Sequence, residues 1–229
     1  MNQLIQDPDQ ELENKLGNVS LDRADLYQLL IRAVQFPTLM LAESLWNGSY
    51  YSKVEKSVQW VNDREGIYQA SLEKLKKVAE NKTGNDPVKL LKKMKEDYTH
   101  LFLTPNQTVV SPFETDYGQI AQDLVVESLN KVYNKENCYI LPDSNESIDH
   151  ICTEFSFLSH LCLQEGISWK NGEVVAAKKW KMKQRAFTVH HLRKWGISFF
   201  ENVGIHAELE AYQAIASVGK MFMILEHGN

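Results

Sequence analysis

Apolar residues recur along this chain mostly at three- and four-residue spacing, and no two-residue alternation lasts long enough to build a sheet. That periodicity predicts an all-α fold. Leu26, Leu30, Ala33 and Val34 share one face of a first helix expected to begin near Ser20 and to halt at Pro37, because proline removes a backbone donor and blocks helix continuation. A short second helix runs through Leu41 and Leu45 to Trp46 and closes at Asn47-Gly48, glycine being the usual residue past a helix end. Two more are expected at Tyr51–Val61 and Glu65–Glu80, followed by a polar loop, Asn81–Asn85. Asp86-Pro87 is a strong start signal, since the aspartate can cap free N–H groups and proline needs no partner at the first helical position. That helix carries Leu90, Leu91, Met94, Tyr98 and Leu101 inward and Lys89, Lys92, Lys93 and Lys95 outward.

Residues 103–113, with Pro105 and Pro112, are a loop. The next helix is expected from Glu114 or Asp116 to Tyr133. Asp149 or Ser147 is expected to cap a helix with Ile151, Phe155, Leu158 and Cys162 in register, ended by Gly166. A turn at Asn171-Gly172 leads into a long amphipathic helix with Val175, Trp180, Phe187 and Leu192 inward. A short Trp195–Val203 segment and a final helix at about His206–Leu225 complete the chain. The sum is a single globular helical domain of about ten helices. Its expected divisions are a disordered or loosely ordered tail (1–19), an N-terminal subdomain (20–133), a hinge loop (134–147) and a C-terminal subdomain (148–229).

Composition changes this picture little. The 229 residues are 43% hydrophobic and 24% charged, ordinary values for a soluble globular protein. With 25 Lys plus Arg against 30 Asp plus Glu, the formal net charge is −5, which disfavours general binding to nucleic acid or anionic membrane. The lysine-rich face of residues 89–95 lacks interleaved aromatics and reads as a solvated helix face. Of three cysteines, Cys138, Cys152 and Cys162, none forms a C-x-x-C pair. Two fall in an apolar helical pattern, as buried thiols in a reducing compartment would. Met1–Asn14 is polar and acidic, unlike a secretory signal, and Ala214–Leu225 is interrupted by Lys220 and too short to span a bilayer. A cytoplasmic protein is expected.

Catalytic and metal chemistry find little support. His190 and His191 are neighbours and point about 100° apart on a helix. There is no paired E-x-x-H set, no phosphate-binding glycine loop and no nucleophile elbow. Asp149-His150 admits two readings. It is half of a catalytic dyad, or Asp149 caps a helix and His150 lies in its first turn. A helical enzyme, or a haem- or metal-handling protein using His150 or His190/His191, is the alternative that these histidines keep open. The aromatic stripe Tyr98, Leu101 and Phe102 reads as core. With Pro112-Phe113 it also reads as one wall of an apolar groove for a peptide, with Glu114, Asp116, Asp149 and Glu154 placed to pair with peptide arginines.

Tyr98-x-x-Leu101-Phe102, then Pro112-Phe-Glu114-Thr-Asp-Tyr117, then Asp149-His150-Ile-x-x-Glu154-Phe-x-Phe157-Leu158 resemble the redox-enzyme maturation chaperones of the TorD/DmsD/NarJ type. His191-Leu-x-x-Trp195, with Phe199, Phe200 and Tyr212, is similar to that family's C-terminal pattern. The resemblance covers about Ser20–Leu225. It implies a cytoplasmic, all-helical, non-enzymatic chaperone without cofactor or metal. Its partner would be the apo catalytic subunit of a molybdenum oxidoreductase and its twin-arginine signal peptide, held until molybdopterin insertion, with no nucleic acid and no stable membrane insertion. Family members are monomers or homodimers, and some have been linked to guanine nucleotide. By position, the implied peptide-binding residues are Leu101, Phe102, Pro112, Phe113, Tyr117, Asp149 and His150, with Glu114 and Glu154 as neighbours. One departure stands out: Glu146-Ser147-Ile148 precedes the Asp-His pair where the family often has an acidic residue and proline, and Pro142-Asp143 sits earlier.

Overall fold

A computed structural model of the chain describes residues 8–61, 66–82, 86–103, 108–118, 120–138 and 147–228. Among them ten α-helices follow one another: α1 (Pro8–Val34), α2 (Leu39–Trp46), α3 (Ser49–Ser57), α4 (Ile67–Glu80), α5 (Pro87–Tyr98), α6 (Gln122–Lys135), α7 (Ile151–Lys170), α8 (Val174–His190), α9 (Gly196–His206) and α10 (Glu210–Gly228). The all-α expectation holds, and the described residues contain no strand beyond one isolated bridge.

α1 starts at Pro8, not near Ser20, so residues 8–19 of the expected tail are helical. Pro8 opens the helix and Asp9 and Glu11 fill its first turn, a placement that suits both the fixed proline φ and the positive end of the helix dipole. Nearly every side chain from 9 to 16 is exposed, so this extension needs no apolar stripe and shows none in the sequence.

α1 lies antiparallel along α7, with Ala24 facing Ser159 and Ile31 facing Cys152. Gly17 and Gly166 meet where they cross. A Cβ on Gly166 would lie 2.8 Å from the Leu21 side chain and 3.1 Å from the Gly17 carbonyl. Gly166 therefore does not end α7 as expected. It lets α1 approach, and the helix continues to Lys170.

Other boundaries follow capping chemistry. Thr38 caps α2 and Asp86 caps α5, with Pro87 at the first position. α3 starts earlier than expected, after Gly48 in the left-handed region (φ 81°). α8 buries Ala177, Gln184, Phe187 and Thr188, while Val175, expected inward, is exposed. α10 begins at Glu210, and the buried Asp97 carboxylate of α5 accepts the Glu208 and Leu209 N–H groups just before it, at 3.2 and 2.9 Å.

The expected hinge at 134–147 includes residues 139–146, which lie outside the described residues. The core itself crosses that boundary. Tyr27 of α1 packs between Phe155 of α7 and Phe222 of α10, with ring centroids 5.2 and 4.7 Å away. Beside it, Arg23 makes a bidentate pair with Glu226 (2.6 and 2.5 Å) and donates to Gln184 (2.8 Å). Glu165 accepts from Gln184 (2.8 Å) and Trp169 (3.2 Å). One buried polar network thus joins α1, α7, α8 and α10. The lysine face of α5 is exposed throughout, as expected.

Candidate functional site

α5 ends in a π-helical turn, Thr99–Leu103, which turns Leu101 and Phe102 inward. Leu101 is fully buried, and Phe102 stacks between Tyr98 (4.8 Å) and Phe199 (6.2 Å). Val110 N–H donates to the Leu101 carbonyl at 3.0 Å and returns the following loop to this turn. Glu114–Asp116 then forms a single 3-10 turn rather than the start of a helix, and the Glu114 N–H is spent elsewhere.

It is spent on the second stretch. Glu114 N–H donates to the Asp149 carbonyl (3.0 Å) and Ile151 N–H to the Pro112 carbonyl (2.9 Å). This isolated antiparallel bridge sets Phe113 directly across from His150, with ring centroids 5.4 Å apart and edge to face. The sequence placed these stretches as two walls of one groove. The structure joins them as one continuous surface element.

The cap falls to His150 and not to Asp149 or Ser147. His150 is the N-cap of α7, its Nδ1 accepting from Cys152 N–H at 3.1 Å. Asp149 is buried, and its two oxygens accept from the Ser147 hydroxyl (2.5 Å) and the Thr115 hydroxyl (2.7 Å). Its carboxylate braces the bridge from inside and is not presented to solvent.

Glu114 is also buried. Its carboxylate meets Nδ1 of His191 at 2.9 Å, and Nε2 of that ring meets the Ser128 hydroxyl at 3.1 Å. Ser128, His191 and Glu114 thus have the order of a hydrolase triad. Ser128, however, lies inside α6, where backbone N–H groups are spent on the helix, so it lacks the adjacent donors that would hold an oxyanion. The chain is a brace linking α6, the Glu114 turn and the α8–α9 junction. His190 is exposed beside it and takes no part.

Glu154 is fully buried, with the Glu114 carboxylate and the Trp195 indole as its polar neighbours. Burial, then the neighbouring Glu114, push its carboxyl well above the usual range. Tyr133, whose ring packs on Phe157 and Phe187, donates to the Ile148 carbonyl at 3.3 Å.

The expected site residues therefore divide. Pro112, Phe113, Tyr117 and His150 are half-buried and reach the surface side by side, with exposed Asp116 between them in the turn. Tyr117 donates to the Ser111 carbonyl (2.9 Å), and the Ser111 hydroxyl donates to Asp116. Leu101, Phe102, Glu114, Asp149 and Glu154 lie behind that surface. Three partners are added to these: Ser128 carried no signal in the sequence, and His191 and Trp195 were marked by the family pattern without a role. Among the described residues no group of three or more His, Cys, Asp or Glu side chains could hold a metal, and no helix is long and apolar enough to cross a membrane. A cavity of about 690 Å³ lies elsewhere, between α4, α9 and α10, and none of the expected site residues lines it.

Comparison with known proteins bears on the same region. The chain is 32% identical over 74 residues to a chlorate reductase assembly chaperone protein of Ideonella dechloratans, covering 32% of this chain and 37% of the relative. It is 27% identical over 112 residues to a selenate reductase assembly chaperone protein of Thauera selenatis, covering 48% of this chain and 57% of the relative. The chain thus spans between about a third and three fifths of the curated relatives it matches. No solved structure matches it significantly. The model of the nitrate reductase delta subunit family matches residues 65–201, from the turn before α4 into α9, a span that contains every expected site residue. With more than half of its length inside that model, the chain belongs to the nitrate reductase delta subunit family, the group of reductase maturation chaperones that its motifs resemble.

Proposed function

We propose that this protein is an assembly chaperone, not an enzyme, for a molybdopterin-containing oxidoreductase. In this reading it acts in the cytoplasm and binds the client's twin-arginine signal peptide or apo-subunit until the cofactor is inserted and before export. The observation that carries the reading is the bridged surface of Phe113 and His150. Pro112, Phe113, Tyr117 and His150 present apolar and aromatic area on a rigid backbone element, the kind of preorganised patch that binds an extended or helical peptide at low entropic cost. Its rigidity has a visible source in the Asp149 and Glu114–His191 braces behind it.

The arginines find their acidic partner in this reading at Asp116, the exposed carboxylate of the turn. Asp149 and Glu154 act indirectly by holding the frame. The test is calorimetry on the full chain with a synthetic twin-arginine leader from the molybdoenzyme encoded nearest to it. Phe113→Ala should weaken binding about tenfold, the scale of a truncated aromatic anchor, with little change in melting temperature. Lys89→Glu, on the far face of α5, should change neither. Equal affinity of wild type and Phe113→Ala for that leader would remove the surface from the mechanism.

A further inference from the structure

A second candidate surface lies at the α1–α2 corner. A cavity of about 330 Å³ opens there between α1, α2 and α3, floored by core side chains. Phe36, Leu39 and Met40 stand on this corner at 50%, 42% and 73% exposure. Such a cluster of solvent-facing large apolar side chains marks an interaction site on a soluble protein.

Charge decides what fits. The chain as a whole is acidic, at −5, yet the charged side chains lining this cavity are Arg32 and Lys53, with no carboxylate among them. Neither has an ion-pair partner among the described residues. The Lys95 ammonium of α5 adds a third cation, 5.5 Å above the Phe36 ring. A leader carrying paired arginines is repelled here. A segment that buries one bulky apolar side chain and sets acidic residues beside it is attracted. The volume lies at the small end of ligand sites and holds an anchor side chain rather than a folded module.

We propose that this corner is a second docking site, taking an acidic amphipathic segment of the client polypeptide outside its leader; the identity of that polypeptide rests on the chaperone reading above. The two surfaces are joined through the core by a file of rings. Phe36 contacts Tyr98 (5.4 Å), Tyr98 contacts Phe102 (4.8 Å), Phe102 contacts Phe199 (6.2 Å), Phe199 contacts Trp195 (5.9 Å) and Trp195 contacts Tyr117 (5.3 Å). One chaperone would then hold leader and mature chain at separate places, by opposite charge preferences.

The test uses the full chain and two labelled synthetic amphipathic peptides with one leucine stripe, their polar faces built of glutamate in one and lysine in the other. Anisotropy should show binding of the glutamate peptide only. Arg32→Glu with Lys53→Glu, and separately Met40→Asp, should each weaken it about tenfold; all three positions are exposed, so folding is preserved. Phe113→Ala should leave this affinity unchanged, and the charge reversals should leave leader affinity unchanged. Loss of the leader effect alone would overturn the chaperone surface and spare this one. Equal binding of the two peptides, no effect of either variant, or displacement of the glutamate peptide by phosphatidylglycerol vesicles would overturn the proposal.

Discussion

Glu154 is a carboxyl group whose proton the fold holds more tightly than water does. Burial comes first and Glu114 second in raising its pKa, so between the ordinary glutamate value and the raised one the native state holds a proton that the unfolded chain has released. Native stability must then fall as pH rises through that window, by at most about 1.4 kcal/mol per pH unit. Glu154→Gln removes the titration and keeps the shape. Its thermal melts should match wild type near the ordinary glutamate pKa and exceed it as pH rises above that value; parallel melting profiles would show that the fold does not raise the Glu154 pKa. At this scale the sequence singled out Asp149-His150 but could not divide their work. Both are polar residues at a helix start, and which one caps depends in part on Thr115, which only the fold brings to Asp149. Cys162 was legible as a buried thiol, and burial pushes it up to about 12.

The elements that were easiest to read are those with their own punctuation, such as α5 behind Asp86-Pro87 and α2 behind Thr38. The misread boundaries have separate causes. Gly166 looks like a stop in one dimension and is a helix crossing in three; the polar start of α1 is helical because nothing requires it to be amphipathic; and Glu114–Asp116 is drawn out of α6 by a bridge to a distant segment. Two glycines test this account with opposite signs. Gly166→Ala should destabilise by about 1–3 kcal/mol, the usual cost of overpacking. At Gly204 the nearest foreign atom to a new Cβ is 3.6 Å away, so Gly204→Ala should be neutral or stabilise by up to about 1 kcal/mol through helix propensity. Denaturant midpoints at constant slope would compare them.

For the whole molecule, the all-α class and the family were legible because periodicity and short motifs are local properties. The continuity of the core was not, since it rests on Tyr27 and Arg23 of α1 meeting α7, α8 and α10. Burial alone would raise the Glu226 carboxyl, but the Arg23 guanidinium and its hydrogen bonds overcome that and hold it below the ordinary range. Its contribution is therefore present above the unfolded pKa and lost as pH falls through the folded one. Glu226→Gln leaves the buried Arg23 with only its longer Glu165 ion pair at 3.5 Å and should cost about 3 kcal/mol, read as a lower melting temperature at neutral pH and a smaller loss on acidification. The file of rings between the two proposed surfaces has an optical side. Trp195 is buried within it, one ring from Tyr117 at its end and two from Phe102. Its indole emission depends on the polarity and mobility around it, so this chain carries an intrinsic fluorophore wired to one surface and three rings from Tyr98, where Phe36 leads out to the other.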